Sequence, residues 1–171
     1  MDGVGYLSIP ELRVLTPQRT ESASDLHIDV VFTDFEGTRA ALKAAAELTS
    51  GLRTGIDLIV PQVVPFPLQL VRPAVPPGFT LRRLLDLAST VDVRPSIHVY
   101  LCRDRLQTLL QVLQPHSVIV VGTRKRWFPT KPERLARALR KNGHHVLLAS
   151  YPEETHGGMN KKSSYDSAAA G

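Results

Sequence analysis

The chain alternates between two kinds of segment, and this alternation restricts its possible folds more than any other feature. Ile28 to Thr33 (IDVVFT) is a compact β-branched and aromatic run, the composition of a strand. Residues 36–50 then carry Ala41, Leu42, Ala45 and Leu48 at helical spacing, with Gly51 as a stop. The exchange repeats. Gly55 to Val64 reads as a second strand, residues 80–91 place Leu81, Leu84, Leu85 and Ala88 on one helical face, and Ser96 to Leu101 reads as a third strand. Residues 103–114 set Leu106, Leu109, Leu110 and Leu113 along one helical stripe that Pro115 ends. Val118 to Val121 is a fourth strand, residues 131–142 hold Leu135 and Leu139 one turn apart before Asn142-Gly143, and His145 to Ala149 is a fifth.

Strands one and four are apolar on both faces, as buried parallel strands are. The expected architecture is α/β: an open five-stranded parallel sheet with helices on both faces. Such sheets bind ligands beyond the carboxyl ends of the strands, where the strand order reverses. Asp34 and Gly122 end strands one and four, so both belong to that region if the two strands are neighbours. Pro61 is the exception inside the second strand, where a lost N–H predicts a bulge or an early end.

The expected core is residues 26–151. Residues 1–25, with Pro10, Pro17 and a polar run, read as an N-terminal extension, and residues 152–171, rich in Gly and Ser, as a disordered tail. The 171 residues suit one domain of ordinary core size. No apolar run approaches the roughly 20 residues of a membrane helix. The N-terminus shows no basic head with an apolar stretch, and Cys102 is the lone cysteine, so a cytoplasmic, reducing location is the expectation. A net charge of +5 admits an anionic partner, but the grouping of the charge says more than its total.

Three stretches together resemble the universal stress protein family. IDVVFTDFEGTRAALKAAAELTSGL is similar to that family's opening strand, acidic turn and alanine-rich helix, and GIDLIVPQVVPFP to the strand that follows. HSVIVVGTRKRW, then ERLARALRKNGHHVLLAS, resembles its fourth strand, glycine turn, last helix and fifth strand. The resemblance implies a strand order of 3-2-1-4-5, a homodimer, and membership of either an ATP-binding or a non-binding branch. The ATP-binding branch carries a glycine, two residues, a second glycine, nine residues, then glycine with serine or threonine. Gly122 matches the first glycine, but Lys125 stands at the second, and either Leu135-Ala136 or Pro132-Glu133 at the final pair.

Glycines let main-chain N–H groups approach phosphate oxygens at positive φ. Forcing a residue with a Cβ into that conformation costs roughly 1–2 kcal/mol, so two such positions weaken binding on the order of 30- to 1,000-fold. Glu133 would also repel phosphate. The standard ATP cradle is therefore broken and no cofactor is expected. Arg124, Lys125, Arg126, Lys131 and Arg134 crowd the same turn. They leave three readings open: solvated charges on a repacked loop, a site for ATP, another nucleotide or a different anion, or a contact with nucleic acid or a protein partner.

By resemblance, Thr33, Asp34 and Val63 are nucleoside-side residues, and Gly122, Arg124 and Lys125 the anion side. Asp34 is expected to cap the first helix, with the nucleoside contact as the alternative. Trp127-Phe128 is expected to fold over the mouth of the site, with stacking on a base or anchoring a partner as alternatives. Arg103 and Arg105 follow Cys102 and could lower its pKa, although a plain thiol is the simpler reading. The histidines do not form a ligand set, and neither a P-loop nor a Gly-x-Ser-x-Gly elbow occurs. The function expected is a non-catalytic regulatory or interaction module.

Overall fold

The computed structural model describes residues 12–14, 27–52, 54–70 and 75–152. The expected tail, apart from Pro152, lies outside the described residues, as does most of the expected N-terminal extension. The elements run β1 (Leu12–Val14), β2 (His27–Val31), α1 (Phe35–Thr49), β3 (Gly55–Val63), α2 (Pro77–Ser89), β4 (Ser96–Cys102), α3 (Arg105–Val112), β5 (Val118–Arg124), α4 (Lys131–Lys141) and β6 (His145–Tyr151). The sheet is ordered β1-β4-β3-β2-β5-β6, and every pairing is parallel. The five expected strands thus take the order 3-2-1-4-5. One further strand joins them: β1, within the segment expected to be an extension, pairs Leu12 with Ile97 and Val14 with Val99 on the outer edge of β4.

Two apolar layers enclose the sheet because successive strand residues point to opposite faces. Val30, Leu58, Val60, Val99 and Val120 pack with Ala41 and Leu42 of α1 and Leu81 and Leu84 of α2. Val31, Ile59, Tyr100, Ile119 and Val121 pack on the other side with Leu109 of α3 and Leu139 of α4.

Pro61 neither bulges nor ends its strand; it lies opposite Tyr100 in an unbroken ladder with β4. Its missing N–H explains why this is tolerated. Strand residues alternate sides, and the carbonyl of Ile59 accepts from the N–H of Phe32 at 2.9 Å on the β2 side. Pro61, two residues on, therefore faces that same side, where β2 has already ended at Val31. No ladder bond is lost.

The fourth expected strand is longer than its apolar run. β5 continues to Arg124, with Gly122, Thr123 and Arg124 opposite Ala149, Ser150 and Tyr151. Gly122 is thus a strand residue rather than the start of a turn.

Candidate functional site at the carboxyl edge of the sheet

Strands β2 and β5 are neighbours, and the chain leaves them in opposite directions across the sheet. The crevice beyond their ends is where an open α/β sheet offers a ligand site. Alternation along β5 fixes what faces it. Gly122 shares a face with Val120 and points at α1, while Thr123 shares a face with Val121 and points at α4.

On the α1 side, main chain meets main chain. A Cβ placed on Gly122 would lie 1.8 Å from the carbonyl oxygen of Gly37, so the glycine is required by the close approach of helix and strand. Gly37 is nearly as confined, since its own Cβ would fall 2.6 Å from Thr33 Oγ1. Thr33 completes the contact by donating its hydroxyl to the Gly122 carbonyl at 3.2 Å. Asp34 is the N-cap of α1: its Oδ1 accepts the Gly37 N–H at 2.7 Å. The same oxygen accepts the Tyr151 hydroxyl at 3.1 Å. Burial, first of all, raises the pKa of that phenol; Asp34 adds to the rise and Arg124 opposes it, so Tyr151 holds its proton and donates.

On the α4 side, side chains close the helix. Thr130 and Glu133 form a capping box, with Glu133 N–H donating to Thr130 Oγ1 at 3.3 Å and Thr130 N–H to Glu133 Oε2 at 3.1 Å. Buried Thr123 joins them, 2.8 Å from Thr130 Oγ1 and 3.3 Å from Glu133 Oε1. Thr130 can donate its hydroxyl proton to Thr123 and Thr123 its own to the carboxylate, which satisfies all three groups. The amino end of α4, the electropositive place that would attract phosphate, is occupied by a carboxylate of its own first turn.

The structure brings Thr33 into direct contact with Gly122 and joins Asp34 to the same point through Gly37. Tyr151 links them to Arg124, whose guanidinium carbon lies 5.8 Å from the phenol ring centroid. Lys125 is exposed and held by its main chain, its N–H donating to the Tyr151 carbonyl at 3.2 Å. Val63 stands apart, 46% exposed at the end of β3 and paired with Cys102 on β4 rather than with β2.

Trp127 and Phe128 do not cover the mouth. Both protrude, at 101% and 83% exposure. The reason is the length of β5: its ladder with β6 runs to Arg124, and Thr130 already caps α4. Only five residues remain between them, carried away from the crevice. Cys102 is a buried thiol whose pKa burial raises, outweighing the lowering by a Thr108 hydrogen bond and the Arg105 charge. Arg103 is turned to other work, donating to the Val64 and Leu68 carbonyls, both at 2.6 Å.

No protein-family model and no curated protein matches the chain. The site is therefore read from its own geometry. Sequence reasoning missed Gly37, Thr123 and Tyr151. A glycine in the first turn of a helix was a usable signal for Gly37, and Thr-x-x-Glu at 130–133 for the capping box. Tyr151 carried none, lying where the sequence passes into a polar tail.

Proposed function

We propose that the protein is a regulatory or interaction module of the universal stress protein type that does not bind ATP in the standard way. The observation that carries this reading is the Thr123–Thr130–Glu133 network, which fills the start of α4 with a carboxylate. A phosphate about 4 Å from that carboxylate would meet a repulsion of roughly 1 kcal/mol in water and about 4 kcal/mol at the dielectric of a protein surface. Lys125 in place of a glycine removes one close approach of main chain to phosphate. Isothermal titration with ATP and Mg²⁺ tests the reading. No heat of binding is expected at millimolar nucleotide; micromolar binding that is lost in Asp34→Ala would overturn it.

A second reading has one observation in its favour. Trp127 and Phe128 are exposed rather than folded over the strand ends, and Arg124 and Lys125 follow Gly122 there, exposed as well. In that reading the module is a switch for a nucleotide or another phosphate ligand held by cations rather than by glycines. Mass spectrometry of small molecules retained through purification distinguishes the two, since only the second expects a phosphorylated ligand.

Self-association completes the proposal. β6 is an edge strand that exposes Leu147 and Leu148, one toward each face of the sheet. A homodimer is expected in sedimentation equilibrium, with Leu148→Lys shifting it toward monomer.

A further inference from the structure

We infer that the β5–α4 loop is a docking tip for an anionic membrane surface, a role that does not depend on the fate of the nucleotide site. Trp127 and Phe128 are adjacent and fully outside the fold, beyond the last paired residue of β5. Pro129 follows at once and limits the bending of the loop, and Pro132 lies in the first turn of α4. Cations stand at its base: exposed Lys125 before the aromatics, exposed Lys131 and Arg134 after them. None of these three forms an ion pair among the described residues. Aromatic side chains at the apex with a ring of positive charge behind them match the layering of a bilayer surface, acyl boundary first and phosphate level next.

A second loop at the same end of the sheet also exposes apolar side chains. β3 and β5 flank β2, so their ends lie about 10 Å apart, two strand spacings. Past the end of β3, Phe66 is 82% exposed, with Val63 and Leu68 also open to solvent. Arg103 holds this loop by its two carbonyl contacts and lays its guanidinium 4.1 Å from the Phe66 ring centroid. The carboxyl edge of the sheet thus carries exposed apolar side chains on two loops. Its chemistry favours lipid over single-stranded nucleic acid. Val63 and Leu68 can enter an acyl boundary but offer no flat π-face for a base to stack on.

Trp127 is the only tryptophan, so its fluorescence reports on the tip directly. The test titrates the full chain with vesicles of equimolar phosphatidylcholine and phosphatidylserine, and with phosphatidylcholine alone. A blue shift of Trp127 emission and co-sedimentation are expected with the anionic vesicles only, both reversed by salt. Trp127→Ala with Phe128→Ala should weaken co-sedimentation by on the order of tenfold or more. Lys125→Ala or Lys131→Ala should each weaken it about fivefold. Binding that ignores phosphatidylserine, or no binding, overturns the inference. So does quenching of Trp127 without a blue shift by oligouridylate in a chain that leaves vesicles alone, which would assign the tip to nucleic acid instead.

Discussion

Gly122 and Thr123 are consecutive residues of one strand, and they meet two helix starts in opposite ways. Gly122 faces α1 and has no side chain, so the helix closes onto the strand, main chain against main chain. Thr123 faces α4 and uses its hydroxyl to tie the strand to a capping box. The first contact is steric and unforgiving; the second is polar and can be taken apart one bond at a time. Each occupies ground where a phosphate-binding turn would need bare N–H groups, and the difference lies in how costly each is to undo.

The largest effect should come from Gly122→Ala. Its Cβ would sit 1.8 Å from the Gly37 carbonyl oxygen, against main chain that cannot rotate away. A loss of about 3 kcal/mol or more is expected from overpacking at a fully packed contact, read as a lowered urea midpoint. If Gly122→Ala folds with unchanged stability, the steric half of the comparison fails.

Gly37→Ala should cost less. The nearest obstacle is Thr33 Oγ1 at 2.6 Å, the end of a short side chain that can turn, at the loss of its hydrogen bond to Gly122. That bond is worth about 1 kcal/mol, and alanine returns a similar amount in helix propensity. The remaining contact with the Gly122 carbonyl leaves an expected net loss of about 1 kcal/mol.

Glu133→Ala probes the polar side. Removing half of the capping box should cost about 1 kcal/mol, whereas Glu133→Gln, which keeps an acceptor, should cost less in the same urea titration. Equal losses would mean that the charge at the helix start, rather than the hydrogen bonds, supplies the stability.

A pH titration sharpens the comparison from the opposite edge of the sheet. His144 is buried, with Nδ1 3.1 Å from Ser117 Oγ, and burial first and the His116 charge second lower its pKa. The folded state therefore takes up the proton less readily than the unfolded chain. Its contribution to stability is complete above the ordinary imidazole pKa of about 6.5 and declines as the pH falls below that value. The difference between wild type and His144→Gln in urea midpoint should consequently change below that pH and stay constant above it.

The smallest effect on folding should follow from Trp127→Ala, within about 0.5 kcal/mol, because the side chain touches solvent rather than the core. A larger loss would mean that the loop is packed after all.

Much of the fold was legible because it rests on local periodicity. The run from Ile28 is apolar on both faces and the stripe Ala41, Leu42, Ala45 on one, and the structure buries those faces. The capping role of Asp34 was legible for the same reason, since a cap bonds to its own helix three residues on. β1 was not legible: three residues, Leu12–Val14, become a strand only because β4 offers an unpaired edge. Nor was the end of β5, where Gly122 through Arg124 lack strand composition and are held by the ladder to β6. The Trp127-Phe128 expectation failed on that point, because extending the strand carried both rings out of the crevice.

The sequence by itself determined the alternation of strands and helices, the apolar faces that stack them in three layers, and the absence of glycine at position 125, all of which follow from side-chain type and spacing. Tertiary structure alone decided that Gly122 would be a contact glycine, that Thr123 would join the Thr130–Glu133 capping box, and that the aromatics would face water. Those outcomes depend on where one strand stops relative to its neighbour, a distance no local run of residues encodes.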